Sequence, residues 1–388
     1  PATPELYTGD TSSAASDVYK RQSPRSRKSN MGERSRISRA LGPRTSPWPC
    51  WRVNGWSRLA EGIPKACGPK RYSMTIEVHG GLESGLPPDV EGTVVTVGSF
   101  DGVHRGHVAV LEEITRRAAE RGLHSVLVTF DRHPLSVVRP EAAPGLLTTP
   151  DEKKEILSQS GLDYVAFLPF TRALSQYGPE QFVDLVLRKR FRVAELVIGY
   201  DHGFGRGREG DNDLLRRLGR AHGFAVDVVA AVESGGSPVS STRIRAGVAN
   251  GDMERVGLDL GRPYSFRGPV VTGLGRGRDL GFPTANITAP GGGKLLPCQG
   301  IYAVRASLRT EIRSGLLHLG PRPTFAGSPP SIELYILDFD EDIYGERVRV
   351  DFLKRLRDVL PFGTAAELVE QMKKDRDKAR EYFAGLDD

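Results

Sequence analysis

Ten residues, Gly98-Ser-Phe-Asp-Gly-Val-His-Arg-Gly-His107, constrain the fold of this chain more than any other stretch. Before them runs Thr93-Val-Val-Thr-Val97, β-branched and uncharged, which predicts a buried strand. After them, Val110, Leu111, Ile114 and Ala118 fall at helical spacing, and Gly122 stands where a C-cap belongs. The stretch is therefore a strand-to-helix turn in an α/β unit. Such a turn gathers free backbone N–H groups and the positive end of a helix dipole, which favours a phosphate. The glycines let the backbone approach closely. His104 and His107 are three residues apart, so both can face that spot and donate to charge developing on a phosphorus.

Further strands are predicted at Ser125–Phe130, Tyr164–Leu168, Glu195–Gly199 and Ala225–Ala230. Between them lie a capped helix start at Leu147–Leu157 and helices near Gly178–Arg190 and Leu214–Gly223. Strands separated by helices imply a parallel, doubly wound sheet with ligands at the strands' carboxyl ends. Two loops there carry ligand chemistry. Gly199–Asp211 is glycine-dense, with Asp201 placed to contact a ligand. Ser240-Ser-Thr-Arg-Ile-Arg245 opens a helix with the hydroxyls of Ser240, Ser241 and Thr242, and Arg243 and Arg245 add charge suited to phosphate.

Near Gly251 the pattern changes, and Leu260-Gly-Arg-Pro-Tyr264 reads as a domain joint. Short β-rich runs follow at Tyr264–Thr272, Gly300–Ser307, Gly315–Leu319, Ile332–Phe339 and Arg347–Phe352, which predict a small antiparallel barrel. A final helix is expected from Ala365 to Phe383, with Leu368, Val369 and Met372 against the barrel and Lys373–Arg380 as a solvated face. Gly273-Leu-Gly-Arg-Gly-Arg-Asp-Leu-Gly-Phe-Pro-Thr-Ala-Asn-Ile287 is the densest motif of this half. Its glycines permit a loop that folds over phosphates. Thr284 and Asn286 share a face, and their oxygens are hard ligands suited to Mg²⁺. In Ser331–Phe339, Ile332, Leu334 and Ile336 share one strand face and Glu333 and Tyr335 the other. A carboxylate in so apolar a strand needs a partner or a task.

These motifs, in this order, resemble the bacterial bifunctional riboflavin kinase/FAD synthetase family. The ten-residue turn resembles its nucleotidyltransferase H-x-G-H motif. Gly199–Asp211 resembles G-x-D-x-x-F-G-x-x-R-x-G, with His202 where many members carry Phe. Ser240–Arg245 resembles S-S-T-x-I-R, and Asp131-Arg-His-Pro134 resembles F-x-P-H-P, with Arg132 replacing a proline. Gly273–Asn286 resembles the riboflavin kinase signature, and His318–Phe325 also matches.

The resemblance covers about residues 92–385 and implies a Rossmann-like nucleotidyltransferase domain, a riboflavin kinase barrel and a C-terminal helix. The boundaries expected are 1–73 for a leader, 74–256 for the FMN adenylyltransferase and 257–388 for the kinase. The barrel would phosphorylate riboflavin from Mg²⁺-ATP, and the first domain would adenylate FMN to FAD, releasing pyrophosphate. By resemblance, His104 and His107 stabilise the transition state and Glu333 is the general base. Gly98, Ser99, Phe100, Asp101, Gly102, Ser240, Ser241, Thr242, Arg243 and Arg245 bind nucleotide phosphates in the first domain. Gly273, Gly275, Arg276, Gly277, Gly281 and Pro283 do so in the second, Thr284 and Asn286 hold the metal, and Asp201, Phe204, Gly205 and Arg357 meet the flavin. An alternative is a transferase with another acceptor, the barrel being only a binding module.

Charge bears on the other function classes. The chain of 388 residues has a net charge of +6, which suggests nucleic acid. Residues 1–73, however, hold 14 Lys+Arg against 5 Asp+Glu, leaving 40 against 43 for the rest. The basic character thus sits outside the catalytic body, and no nucleic-acid partner is expected. No apolar run of membrane-spanning length occurs, so no membrane association is expected. Cys298 is the lone cysteine of the body, which fits a reducing, cytoplasmic setting. Residues 1–73 read as disordered, or as an artefact of library assembly with Met74 the natural start. Asp17-Val-Tyr-Lys-Arg-Gln22 resembles a translated sequencing adapter.

Overall fold

The structure, a computed structural model, describes residues 76–78, 85–200, 210–273, 276–309, 311–321 and 331–387. The leader lies outside them.

The first half alternates strand and helix. Strands β1 (Ile76–Val78), β2 (Thr93–Val97), β3 (His124–Phe130), β4 (Tyr164–Leu168), β5 (Val193–Gly199) and β6 (Ala225–Val229) form, among the described residues, one parallel sheet in the order β1-β4-β3-β2-β5-β6. The helices between them are α1 (Arg105–Arg121), α2 (Leu135–Val138), α3 (Pro150–Leu157), α4 (Pro179–Phe182) and α5 (Asn212–His222). Every predicted strand of this half is present. Helix α1 buries the four residues its periodicity selects, and Gly122 closes it in the left-handed conformation, φ 65°. Thr149 and Glu152 form a capping box at the start of α3. The helix expected over Gly178–Arg190 is α4 running into a π-helical turn, Val183–Arg188. Strand β1, too short to show a period, is added at the sheet edge by pairing with β4. Strand order reverses at β2, whose neighbours are β3 and β5, so the loops leaving β2 and β5 start side by side.

A two-residue hairpin, β7 (Glu233–Ser234) and β8 (Ser237–Pro238), leads into α6 (Ser241–Asn250) and α7 (Met253–Leu260). The barrel follows: β9 (Tyr264–Val271), α8 (Arg276–Asp279), β10 (Ala285–Ile287), β11 (Gly300–Leu308), β12 (Glu311–Gly320), β13 (Ser331–Ile336) and β14 (Arg347–Arg357). Among the described residues it closes in the order β10-β13-β12-β11-β14-β9, with antiparallel pairs throughout. Strand β10 lies inside the Pro-Thr-Ala-Asn motif, where the motif masks the strand pattern. Alternation fills the barrel: Tyr264, Phe266 and Val270 of β9 point inward, as do Ile332, Leu334 and Ile336 of β13. That core is continuous with Leu147, Val239, Ile244, Val248, Met253, Val256 and Leu260, so α6 and α7 pack on the barrel. The boundary expected between residues 256 and 257 thus falls within α7.

Helix α9 (Ala365–Asp387) lies on the outer barrel face formed by Ile301, Ala303, Leu316, Leu353 and Leu356. Its buried face continues the expected stripe toward the C-terminus. Leu368, Val369 and Met372 are only half-buried, whereas Asp375, Ala379 and Phe383, four apart, are buried. The segment Lys373–Arg380, expected to be solvated, therefore carries part of the contact.

Candidate active sites

At the carboxyl end of β2, Gly98 N–H donates to Val128 O at 3.1 Å, and the chain turns through left-handed conformations at Phe100 (φ 47°), Gly102 (φ 83°) and Val103 (φ 38°). Two non-glycine residues in that region mark a strained turn. It is held from several sides. Lys153 of α3, buried, donates to Ser99 O at 3.2 Å and Phe130 O at 2.8 Å, and burial lowers its ammonium pKa to about 8. The buried Asp101 carboxylate accepts from the N–H groups of Leu147 and Thr148 and pairs with Arg245 at 2.6 Å. Ser241 Oγ donates to Asp101 O at 3.0 Å. The H-x-G-H turn and the Ser240–Arg245 segment therefore meet, as their chemistry suggested.

His104 is the N-cap of α1: its Nδ1 accepts from His107 N–H at 3.3 Å. Its proton is thereby assigned to Nε2. The two imidazoles stack at 3.7 Å and 16°, and His107 leans on Phe100 at 4.5 Å. His107 Nδ1 is buried with no hydrogen-bond partner, so its Nε2 tautomer spares an unsatisfied N–H. Burial, then the Arg262 charge, lowers the His104 pKa to about 4. Burial, then His104, holds that of His107 well below the ordinary value. Both rings are neutral Nε2–H donors at neutral pH. Gly106 lets the His104 ring fold back, since a Cβ there would stand 3.2 Å from it.

The two arginines expected to reach phosphate have internal partners. Arg243 pairs with buried Asp259 at 3.0 Å and donates to Ser234 O and Ser237 O. Arg245 holds Asp101 and Gly145 O. Asp101 itself binds amides and a guanidinium, so it shapes the turn. Ser240 caps α6 by accepting from Arg243 N–H at 3.3 Å, and Thr242 is exposed beside it. His133 Nδ1 accepts from Leu135 N–H at 3.2 Å, a local contact at the start of α2. Asp201, Phe204 and Gly205 lie outside the described residues.

In the second half, Asn286 of β10 stands opposite Glu333 of β13, and Glu333 opposite His318 of β12. Glu333 lies on the outer face, half-buried, its Oε1 accepting from Ser331 Oγ at 2.9 Å and its Oε2 3.4 Å from Thr284 Oγ1. Phe282 and Tyr335 pack at 5.4 Å beside it. Gly273 lets the loop pass close over β10: a Cβ there would fall 2.0 Å from Asn286 Nδ2. A Cβ at Gly277 would fall 2.4 Å from Phe282 O and 3.0 Å from Thr284 Oγ1. Gly281 turns the chain at φ 77° into exposed Pro283. Gly275 and the Arg276 side chain lie outside the described residues, as does the chain from Arg322 to Phe325.

The side chains of Thr284, Asn286 and Glu333 have the oxygen chemistry that suits a hard cation. A hydroxyl, an amide and a carboxylate meet at one place, pressed together by the two glycines. Among the described residues no group of three His, Cys, Asp or Glu could hold a metal ion. Arg357 is engaged elsewhere. Its guanidinium binds Asp375 of α9 at 2.6 and 2.8 Å and Asp358 O at 2.7 Å.

A parallel sheet with an imidazole pair at a strand-to-helix turn, joined to a closed barrel with a glycine-rich loop, defines a nucleotidyltransferase coupled to a small-molecule kinase. The FAD synthetase family matches residues 86–243, and the riboflavin kinase family matches residues 260–383. The chain is similar to the bifunctional riboflavin kinase/FMN adenylyltransferase of Escherichia coli K12, 36% identical over 294 residues, 76% of this chain and 93% of that one. Its counterpart in Listeria monocytogenes is 35% identical over 318 residues, 81% of this chain and 99% of the relative. The one in Bacillus subtilis is 33% identical over 303 residues, 76% and 93% respectively. A crystal structure from Streptococcus pneumoniae, described as a macrolide-efflux protein, is similar with a TM-score of 0.70 and 30% identity, covering 79% of this chain and 99% of that one. Among the described residues here, no helix is long and apolar enough to cross a membrane. The chain belongs to the bifunctional riboflavin kinase/FMN adenylyltransferase family.

Proposed function

We propose that the two sites act in sequence on one flavin. In the barrel, Glu333 takes the proton of the riboflavin ribityl 5′-hydroxyl as its oxygen bonds to the γ-phosphorus of ATP and ADP leaves. A placed base of this kind contributes roughly 10²–10⁴ in rate. Thr284 and Asn286 would hold Mg²⁺, which when bound neutralises charge on the transferring phosphoryl group. Gly273, Gly275, Gly277 and Gly281 let backbone N–H groups close over the phosphates, with Arg276 and Pro283 on the same loop. Arg357 acts on the flavin site indirectly, by fixing β14 to α9.

In the first domain, an FMN phosphate oxygen bonds to the α-phosphorus of a second ATP and pyrophosphate leaves. His104 and His107 donate through Nε2 to the oxygens that gain charge. Gly98, Ser99, Phe100 and Gly102 form the nucleotide turn, with Asp101 holding its shape. Ser240, Ser241 and Thr242 at the start of α6 receive the leaving pyrophosphate, and Arg243 and Arg245 brace that start. Asp201, Phe204 and Gly205 meet the isoalloxazine side. Riboflavin, FMN and ATP are the partners proposed. The free thiol of Cys298 fits a cytoplasmic location.

One observation carries the two-site reading. The imidazole site has its near carboxylate, Asp101, taken up by Arg245 and two amides, whereas the barrel sets a carboxylate beside a hydroxyl and an amide. A phosphate nucleophile needs no base, and a hydroxyl nucleophile does. Product analysis tests it. The full chain with riboflavin, ATP and Mg²⁺ should yield FAD. Glu333→Gln should yield FAD only from added FMN, and His104→Ala with His107→Ala should stop at FMN. A parent that makes FAD from FMN but no FMN from riboflavin would leave the barrel a binding module.

A further inference from the structure

Resting on that assignment of adenylyl transfer to His104 and His107, we infer that Arg262, in the joint between the two halves, is a positioning residue of the transferase site. It holds the strained turn by two backbone carbonyls. Its Nη2 donates to Gly102 O at 2.5 Å and its Nη1 to Val103 O at 2.8 Å. These are two consecutive left-handed residues, φ 83° and 38°, and the next residue is His104. A turn of this kind persists only where its surroundings hold it. A planar guanidinium can grip two neighbouring carbonyls at once, whereas an ammonium on a flexible stem acts as a point donor.

Arg262 is itself fixed. Gly261 before it is the left-handed cap of α7, φ 74°, and Pro263 after it restricts its backbone. Tyr264 then opens β9, so the clamp on the transferase turn is set by the first strand of the kinase barrel. A second tie runs in parallel. Leu146 N–H donates to Gly293 O, and Leu295 N–H to Leu146 O, both at 2.8 Å. Buried Lys294 holds Leu147 O at 2.8 Å and Glu152 at 2.6 Å. Leu147 and Thr148 are the residues whose amides bind Asp101. The barrel thus supports three consecutive residues of the turn that carries the imidazoles, Asp101 through Leu147 and Thr148, and Gly102 and Val103 directly through Arg262.

The guanidinium charge also acts on the rings. The charged groups around His104 are Arg262 and Arg245, which disfavour its protonation, and Asp101 and Asp259, which favour it. His107 adds the influence of Lys153. Protonated at Nδ1, His104 would lose the lone pair that caps α1.

The test uses the full chain and two variants, Arg262→Lys and Arg262→Met, each assayed for adenylyl transfer to added FMN and for riboflavin phosphorylation, with the His104 ring titrated by NMR. We expect kcat for adenylyl transfer to fall about tenfold in the Lys variant and about a hundredfold in the Met variant, the scale of an ångström's misplacement at a reacting centre. Riboflavin phosphorylation should stay at the parent rate. The His104 ring should titrate near about 4 in the parent, stay there in the Lys variant and move up in the Met variant. Adenylyl transfer unchanged in the Met variant, both activities falling together, or an unmoved His104 titration there would each overturn the inference. If the Met variant does not fold, the Lys variant decides: transfer lowered with phosphorylation intact supports the clamp, and parent-level transfer overturns it. A parent without adenylyl transfer removes the functional reading, and the titration still decides whether Arg262 governs the turn.

Discussion

The backbone N–H of His107 donates to Nδ1 of His104, so the imidazole proposed for adenylyl transfer also holds the fold. The ring proposed to meet the nucleotide is the ring that starts α1. A proton on Nδ1 would therefore disturb the turn and the reaction together.

The sign of the pH dependence follows. His104 has an ordinary pKa of 6.5 and about 4 in the folded chain, mainly from burial. The unfolded chain gains its proton first as pH falls. The associated stability is complete above about 6.5 and is lost as pH drops toward 4, by about 3 kcal/mol for His104. Urea unfolding across that window should show the decline. His104→Asn, which keeps a capping oxygen without a titrating ring, should flatten its slope and abolish adenylyl transfer.

Asp101→Ala removes the acceptor of two amides and leaves Arg245 with a buried charge. Breaking a pair of this kind costs about 3–5 kcal/mol. A drop of that order in unfolding free energy is expected. Asp101→Asn, which still accepts from the amides of Leu147 and Thr148, should lose less.

Gly273→Ala places a methyl where Asn286 Nδ2 now lies, 2.0 Å away. The amide is the end of a side chain and can swing, so the fold should survive with little loss. The swing takes Asn286 off its place beside Glu333 and Thr284. Riboflavin phosphorylation should fall at least tenfold while FMN adenylylation holds, measured with each flavin supplied separately. Gly277→Ala meets the rigid Phe282 carbonyl at 2.4 Å and should also lower the melting temperature.

Asp375→Ala should cost about 3 kcal/mol, because Asp375 and Arg357 are mostly buried, with side-chain exposures of 9% and 17%. Asp377→Ala, two residues on, removes a carboxylate that is 63% exposed and should change stability by less than about 1 kcal/mol. Denaturant midpoints of the two variants make the comparison.

That last contrast shows what the sequence could not display. A period in hydrophobicity is local, so α1, the β2–β5 strands and the barrel strands other than β10 were legible. The extent of the buried face of α9 was not, because Asp375 is buried by a partner on β14 and looks like a surface charge in its own helix. Arg243 and Arg245 have the right chemistry for phosphate, yet Asp259 and Asp101, each at least fourteen residues distant in sequence, engage them. Arg262 and Lys153 were missed for the same reason. Each acts on backbone carbonyls far along the chain, and a carbonyl leaves no mark on sequence. The motif residues stood out because their types are unusual together: paired imidazoles around a glycine, or a carboxylate in an apolar strand.

The core that runs from Val239 through Leu260 into Tyr264 and Phe266 is a party wall shared by two rooms. A graft that moves either half into another protein has to bring α6 and α7 with it or rebuild their apolar face. The unit that can be exchanged intact is larger than the unit that performs one reaction.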